Sequence, residues 1–185
     1  MSWSDCVLCP FGKTANKVWY RGVPCWPDVL FIGEAPGKAE DHSGQPFVGQ
    51  AGKLLDTQLV EWPAERLTYT IVNALLCRPC DRTGGSNRTP SPQEVANCNP
   101  RLQEQIASIA PVYAVVLLGK TAERAFDLFG AEYPLPAFRL WHPAYLLRKG
   151  SKSAEYKRWS AAFYRVKQFV LKAKERSGEL STPRS

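Results

Sequence analysis

Four short apolar runs, at 29–32, 67–76, 114–118 and 138–141, alternate with segments whose apolar residues recur every three or four positions. That alternation constrains the fold more than any single motif. Short buried strands interleaved with amphipathic helices lead to a mainly parallel sheet in an α/β fold. The helical patterns cover 50–61 (Leu54, Leu55, Leu59), 92–109 (Val95, Leu102, Ile106, Ile109) and 120–129. The second begins after Ser91, with Glu94 at the capping-box position. In the last helix Trp159, Ala162, Phe163, Val166, Phe169, Val170 and Ala173 share one face, and Gly178 marks its end. One domain over 1–178 is expected, with a flexible tail at 179–185.

A chain of 185 residues with 44% hydrophobic residues can bury a core without disulfides. No segment approaches the roughly 20 apolar residues of a membrane helix, and the N-terminus has no signal-peptide core. A cytoplasmic or nucleoid-associated location is expected, so the six cysteines read as metal ligands or core thiols. The net charge of +7 is one-sided. From Arg148 onward there are eleven Lys/Arg against three Glu, and before it thirteen against fourteen acidic residues. Such a segment is either a soluble helix face or the footprint of a polyanion binder.

The chemistry concentrates where strands end. Gly33-Glu34-Ala35-Pro36-Gly37 follows the first apolar run, and Gln45-Pro46-Phe47-Val48-Gly49 comes shortly after. A carboxylate is thus delivered at the carboxyl end of a strand, where open α/β sheets bind ligands. Phe47, bracketed by Gly44 and Gly49, is placed to present its ring. Asn73 interrupts an apolar strand, and a buried amide there needs partners or costs about 1–3 kcal/mol. His142 precedes Pro143, which holds it extended at a strand end. Gly119-Lys120-Thr121 is not a phosphate loop, because the required first glycine falls at Ala114. By spacing alone, Cys6-x2-Cys9 with Cys77-x2-Cys80 suggests a zinc ribbon.

These motifs closely resemble the family 4, iron–sulfur branch of the uracil-DNA glycosylase superfamily. Trp141-His142-Pro143-Ala144-Tyr145-Leu146-Leu147-Arg148 resembles its second motif, and the likeness runs from Cys6 to about Phe169. The resemblance implies a three-layer α/β/α sandwich around a four-stranded sheet. It implies a role for each matching residue: Glu34 acts on water and on the cationic sugar, and His142 on the leaving base. Gly33, Ala35, Gly37, Phe47 and Asn73 would bind the base. Arg88, Ser91, Tyr145, Leu146 and Arg148 would contact DNA. A [4Fe–4S] cluster would be held by Cys6, Cys9, Cys77 and Cys98, with Cys80 as substitute for the last and zinc as the less favoured metal. The cluster would brace a DNA-facing loop.

The chain departs from the family pattern in three places. The stretch before His142 is short, Leu76 stands where a lysine is common, and the loop Ser86-Asn87-Arg88 has no histidine, so covalent capture of uracil is not expected. Neither motif holds a lysine, which excludes a lyase step. The expected protein is a monomeric, monofunctional glycosylase acting on DNA that contains uracil. Its rivals are a glycosylase for another modified pyrimidine and a non-catalytic DNA-binding module on the same fold.

Overall fold

The computed structural model describes residues 3–80, 85–130 and 133–179. Its strands are β1 (Arg21–Gly22), β2 (Val29–Gly33), β3 (Tyr69–Asn73), β4 (Ala114–Leu118) and β5 (Ala137–Leu140), in the sheet order β1-β3-β2-β4-β5. The four expected strands run mutually parallel. The fifth, β1, adds an antiparallel edge to β3. Two residues long, it has no apolar run to announce it. β3 is shorter than its apolar run because its neighbour β2 ends at Gly33, opposite Asn73.

The helices are α1 (Lys38–Ser43), α2 (Gln50–Leu59), α3 (Pro92–Ile109), α4 (Lys120–Asp127), α5 (Pro143–Lys149) and α6 (Ala154–Arg176). α3 has the bounds that its caps predict: the Ser91 hydroxyl accepts from the Glu94 amide, and the Glu94 carboxylate accepts from the Ser91 amide. No helix among the described residues is long and apolar enough to cross a membrane.

Period-two alternation sorts the buried strands into two cores. Leu30, Ile32, Val72, Val115 and Leu117 pack with Val95, Leu102 and Ile106 of α3 and Ala122 and Phe126 of α4. Val29, Phe31, Ile71, Val116 and Leu118 pack on the other face with Leu55 of α2, Leu146 of α5 and Trp159, Phe163 and Val166 of α6. Phe31 stacks on Phe163 at 5.8 Å between ring centroids. Each such fully buried side chain contributes about 1.5–3 kcal/mol.

α6 runs back along the sheet. At its start Lys149 and Glu155 approach to 3.8 Å. Near its end Lys174 Nζ donates to both carboxylate oxygens of Asp28 at 2.9 Å, just ahead of β2. Both partners are buried, and removing either alone would leave an uncompensated charge costing about 3–5 kcal/mol.

Candidate active site

The carboxyl edge of the sheet opens into a cavity of about 550 Å³. Glu34 enters it from the end of β2, Asn73 from β3 and His142 from just beyond β5. The chain leaves β2 towards β3 on one side and returns to β4 on the other. Such a change of direction leaves a crevice at the strand ends.

Glu34 is half-buried, and its Oε2 accepts a 2.6 Å hydrogen bond from Thr121 Oγ1. Oε1 has no hydrogen-bond partner among the described residues. The loop beyond is organised by Glu40, whose buried carboxylate accepts from the amides of Gly37, Val48 and Gly49 at 2.8–3.0 Å. A carboxylate saturated by backbone donors ties α1 to the entry of α2.

Phe47 lines the cavity and is 4% exposed, so its ring forms part of the packed wall and does not project into solvent. Its backbone adopts φ 58°, a left-handed conformation. The carbonyl is held by Arg21 Nη1 at 3.0 Å, and Arg21 is itself paired with Asp56. Gly33 is the contact point: a Cβ there would strike the Phe47 ring and stand 2.5 Å from Asn73 Oδ1. Asn73 is 2% exposed, and its Oδ1 is buried without a hydrogen-bond partner. An orphan acceptor of this kind costs about 1–3 kcal/mol unless something donates to it.

His142 is the N-cap of α5, its Nδ1 accepting from the Ala144 amide at 3.2 Å. In the neutral ring this assigns the proton to Nε2, leaving Nε2–H as the donor. Burial pushes its pKa down from 6.5 to about 4; Arg148 adds to this and Glu40 opposes it. Its ring lies 5.7 Å from that of Phe47.

The rim differs in part from the sequence expectation. Arg88 and Arg148 line the cavity, as do Ala35 and Gly37. Arg88 is already committed, donating to both carboxylate oxygens of Glu94 at 2.6 and 2.8 Å. That bond holds the Glu94 carboxyl below its ordinary pKa. Ser91 is spent on capping α3, and Tyr145, beneath Lys149, lies outside the cavity lining. Leu146, expected at the DNA surface, is instead 1% exposed, in the core between α5 and the sheet. The leucine facing outward is Leu147, 45% exposed and on the cavity wall. α5 forces this choice, since consecutive helical residues point about 100° apart.

Cys6, Cys9, Cys77 and Cys98 line one small cavity, with Leu8, Phe11, Leu75 and Arg101. Cys80 is not in that lining; it pairs with Asn87 in an isolated bridge. Among the described residues no three His, Cys, Asp or Glu side chains converge closely enough to form a metal site as they stand. The thiols do share one pocket, and as thiolates they would repel one another unless a soft cation lay between them. Burial is the largest cause raising the Cys9 thiol to about 11, and Cys98 and Cys77 add to it. Arg101, 1% exposed, donates to Cys98 Sγ at 3.4 Å and to the carbonyls of Asn73 and Ala74.

Sequence reasoning missed Glu40 and Thr121. The Gly37-to-Glu40 spacing is that of a capping box, but α1 is polar and has no apolar period to mark it. Nothing local links Thr121 to Glu34, 87 positions away.

The family model described as the uracil DNA glycosylase superfamily matches residues 20–164. The chain is 36% identical over 162 residues to a type-4 uracil-DNA glycosylase of Thermotoga maritima, covering 79% of this chain and 80% of that one. To the enzyme of the same name from Pyrobaculum aerophilum it is 34% identical, over 86% of this chain and 88% of the relative. To that of Archaeoglobus fulgidus it is 38% identical, over 70% and 62%. With the match spanning the sheet and every strand end that lines the cavity, the chain belongs to the uracil-DNA glycosylase superfamily.

Proposed function

We propose that this protein excises uracil from DNA as a monofunctional glycosylase, hydrolysing the C1′–N1 bond and leaving an abasic site. The observation that carries the reading is the orphan Asn73 Oδ1 in a cavity shared with Glu34, Phe47 and His142. Uracil N3–H would satisfy that oxygen, while the amide NH₂ matches O4. The Phe47 ring would stack on the flipped base, and stacking of this kind contributes about 1–3 kcal/mol. That helps offset the few kcal/mol lost on unstacking.

Bond cleavage develops positive charge on the sugar and negative charge on the base. Glu34, with Oε1 unbound, would orient the attacking water and offset the oxocarbenium charge. His142 would donate through Nε2–H to the uracil oxygen as charge accumulates there. Because its ring is neutral at pH 7, it acts as a hydrogen-bond donor and not as an acid.

Cys6, Cys9, Cys77 and Cys98 would hold a [4Fe–4S] cluster, whose contribution is to brace the segment from Cys77 to α3 and not to do redox chemistry. Arg78 supports this brace from the protein side, donating from Nε to Asn87 Oδ1 at 2.6 Å and to the Gly85 carbonyl. The protein would act in the cytoplasm, on nucleoid DNA.

The test is incubation with a labelled oligonucleotide carrying one uracil, followed by alkali. Scission at the uracil is expected, falling by about two to three decades in His142→Ala. If uracil stays intact while a panel of modified pyrimidines is cleaved, the base assignment is wrong. If every base survives and DNA still binds, the protein is a binding module.

A further inference from the structure

Gly119-Lys120-Thr121, where β4 passes into the first turn of α4, fits no phosphate loop and takes no part in the base contacts above. We infer that it is a positioning device for both reactive side chains: Thr121 fixes the carboxylate of Glu34, and Gly119 makes room for His142. The inference rests on the glycosylase reading, since it deepens the roles of those two residues.

Thr121 is 4% exposed in the first turn of α4. Its hydroxyl has one carboxylate within reach, Glu34 Oε2 at 2.6 Å. An O–H···O⁻ bond of that length is of the strong, charge-assisted kind. It selects one rotamer of Glu34 and occupies one of its two oxygens. The water and the sugar are therefore left to Oε1, which has no other partner among the described residues. Without the hydroxyl, Glu34 would turn freely at the edge of a cavity of about 550 Å³. Misplacement of a reacting group by about 1 Å is enough to cost about 10²-fold in rate.

Gly119 serves the other side chain. It sits at φ +89°, where L side chains are strained, and a Cβ there would stand 2.9 Å from His142 Cβ. Its amide also donates to the Leu140 carbonyl at 2.8 Å, fixing the turn against the end of β5 two residues before His142. One turn thus touches both chain segments that carry the chemistry. Thr121 and Gly119 are positioning residues, since neither is placed to touch the reacting atoms.

The experiment measures single-turnover uracil excision with excess enzyme for Thr121→Val, Thr121→Ser and Glu34→Ala, and for Thr121→Val combined with Glu34→Ala. Thr121→Val should lower the rate constant about 10- to 100-fold, with KM for the uracil oligonucleotide within about twofold of wild type. Thr121→Ser should recover most of the rate, because it keeps the hydroxyl. In the Glu34→Ala background the valine should have no further effect, since the residue it acts through is gone. Circular dichroism and melting of each variant report folding, and Thr121→Ser carries the test should the valine variant not fold. Gly119→Ala supplies a readout besides rate: the imidazole NMR signals of His142 should shift.

Three results would overturn the inference. The valine variant could match wild type, it could slow the Glu34→Ala enzyme by the same factor as wild type, or the serine variant could be as slow as valine while still folded. A fully active Glu34→Ala enzyme would instead refute the role given to Glu34, and with it the reading on which the inference stands.

Discussion

The imidazole of His142 caps the helix that it begins, accepting at Nδ1 from the amide of Ala144 two residues on. The cap sets the tautomer, and burial sets the charge. With a folded pKa of about 4 against 6.5 when unfolded, the native state resists protonation. The stability contributed by the neutral ring is complete above pH 6.5 and is lost as pH falls towards 4. Nitrogen-15 NMR should therefore show a neutral, Nε2-protonated ring for His142 at pH 6. A midpoint near 6.5 would contradict this.

Glu40 is the second test. Glu40→Gln puts an NH₂ where three backbone N–H groups converge, so at least one donor loses its acceptor. A loss of about 1–3 kcal/mol in urea unfolding is expected. Because the clamp holds the two residues that follow Phe47, KM for uracil oligonucleotides should rise as well.

The two leucines of α5 should separate cleanly. Leu146→Ala empties a core position and should cost about 2–5 kcal/mol of stability. Leu147→Ala, at an exposed site, should alter stability by no more than about 0.5 kcal/mol. Its expected effect is weaker binding to uracil-containing DNA, read by fluorescence anisotropy.

The cysteines make a colour test. Cys98→Ser should abolish an iron–sulfur absorbance near ~400 nm, whereas Cys80→Ser should retain it, because Cys80 is outside the lining shared by the other four. Equal loss in both variants would place Cys80 among the ligands. A colourless wild-type protein with bound zinc would replace the cluster altogether.

What was legible in the chain was whatever depends on neighbours in sequence. β2 and β4 are buried on both faces, so they read as unbroken apolar runs. α3 has local caps at its start, and its bounds follow from Ser91 and Glu94. β1 and α1 lack such signals, the first being two residues long and the second polar. Phe47 shows where local reasoning errs. Flanking glycines suggest an exposed ring, yet the contact with Gly33 and the tether from Arg21 come from distant segments and pull it inward. The choice between Cys80 and Cys98, and the partnership of Thr121 with Glu34, were illegible for the same reason.

The bond between Arg88 and Glu94 also bears on how much of the protein's charge is available to DNA. A phosphate can recruit Arg88 only by displacing a carboxylate that already holds it bidentately. Lys174 is neutralised in the core, and Lys167 is tied to the Glu61 carbonyl. A cation held in this way neutralises no phosphate and so displaces none of the counterions condensed on the DNA. The count of 24 Lys and Arg therefore overstates the cations that can meet DNA. In a plot of log affinity against log salt, the slope should be far shallower than the roughly −22 that 24 phosphate contacts would give.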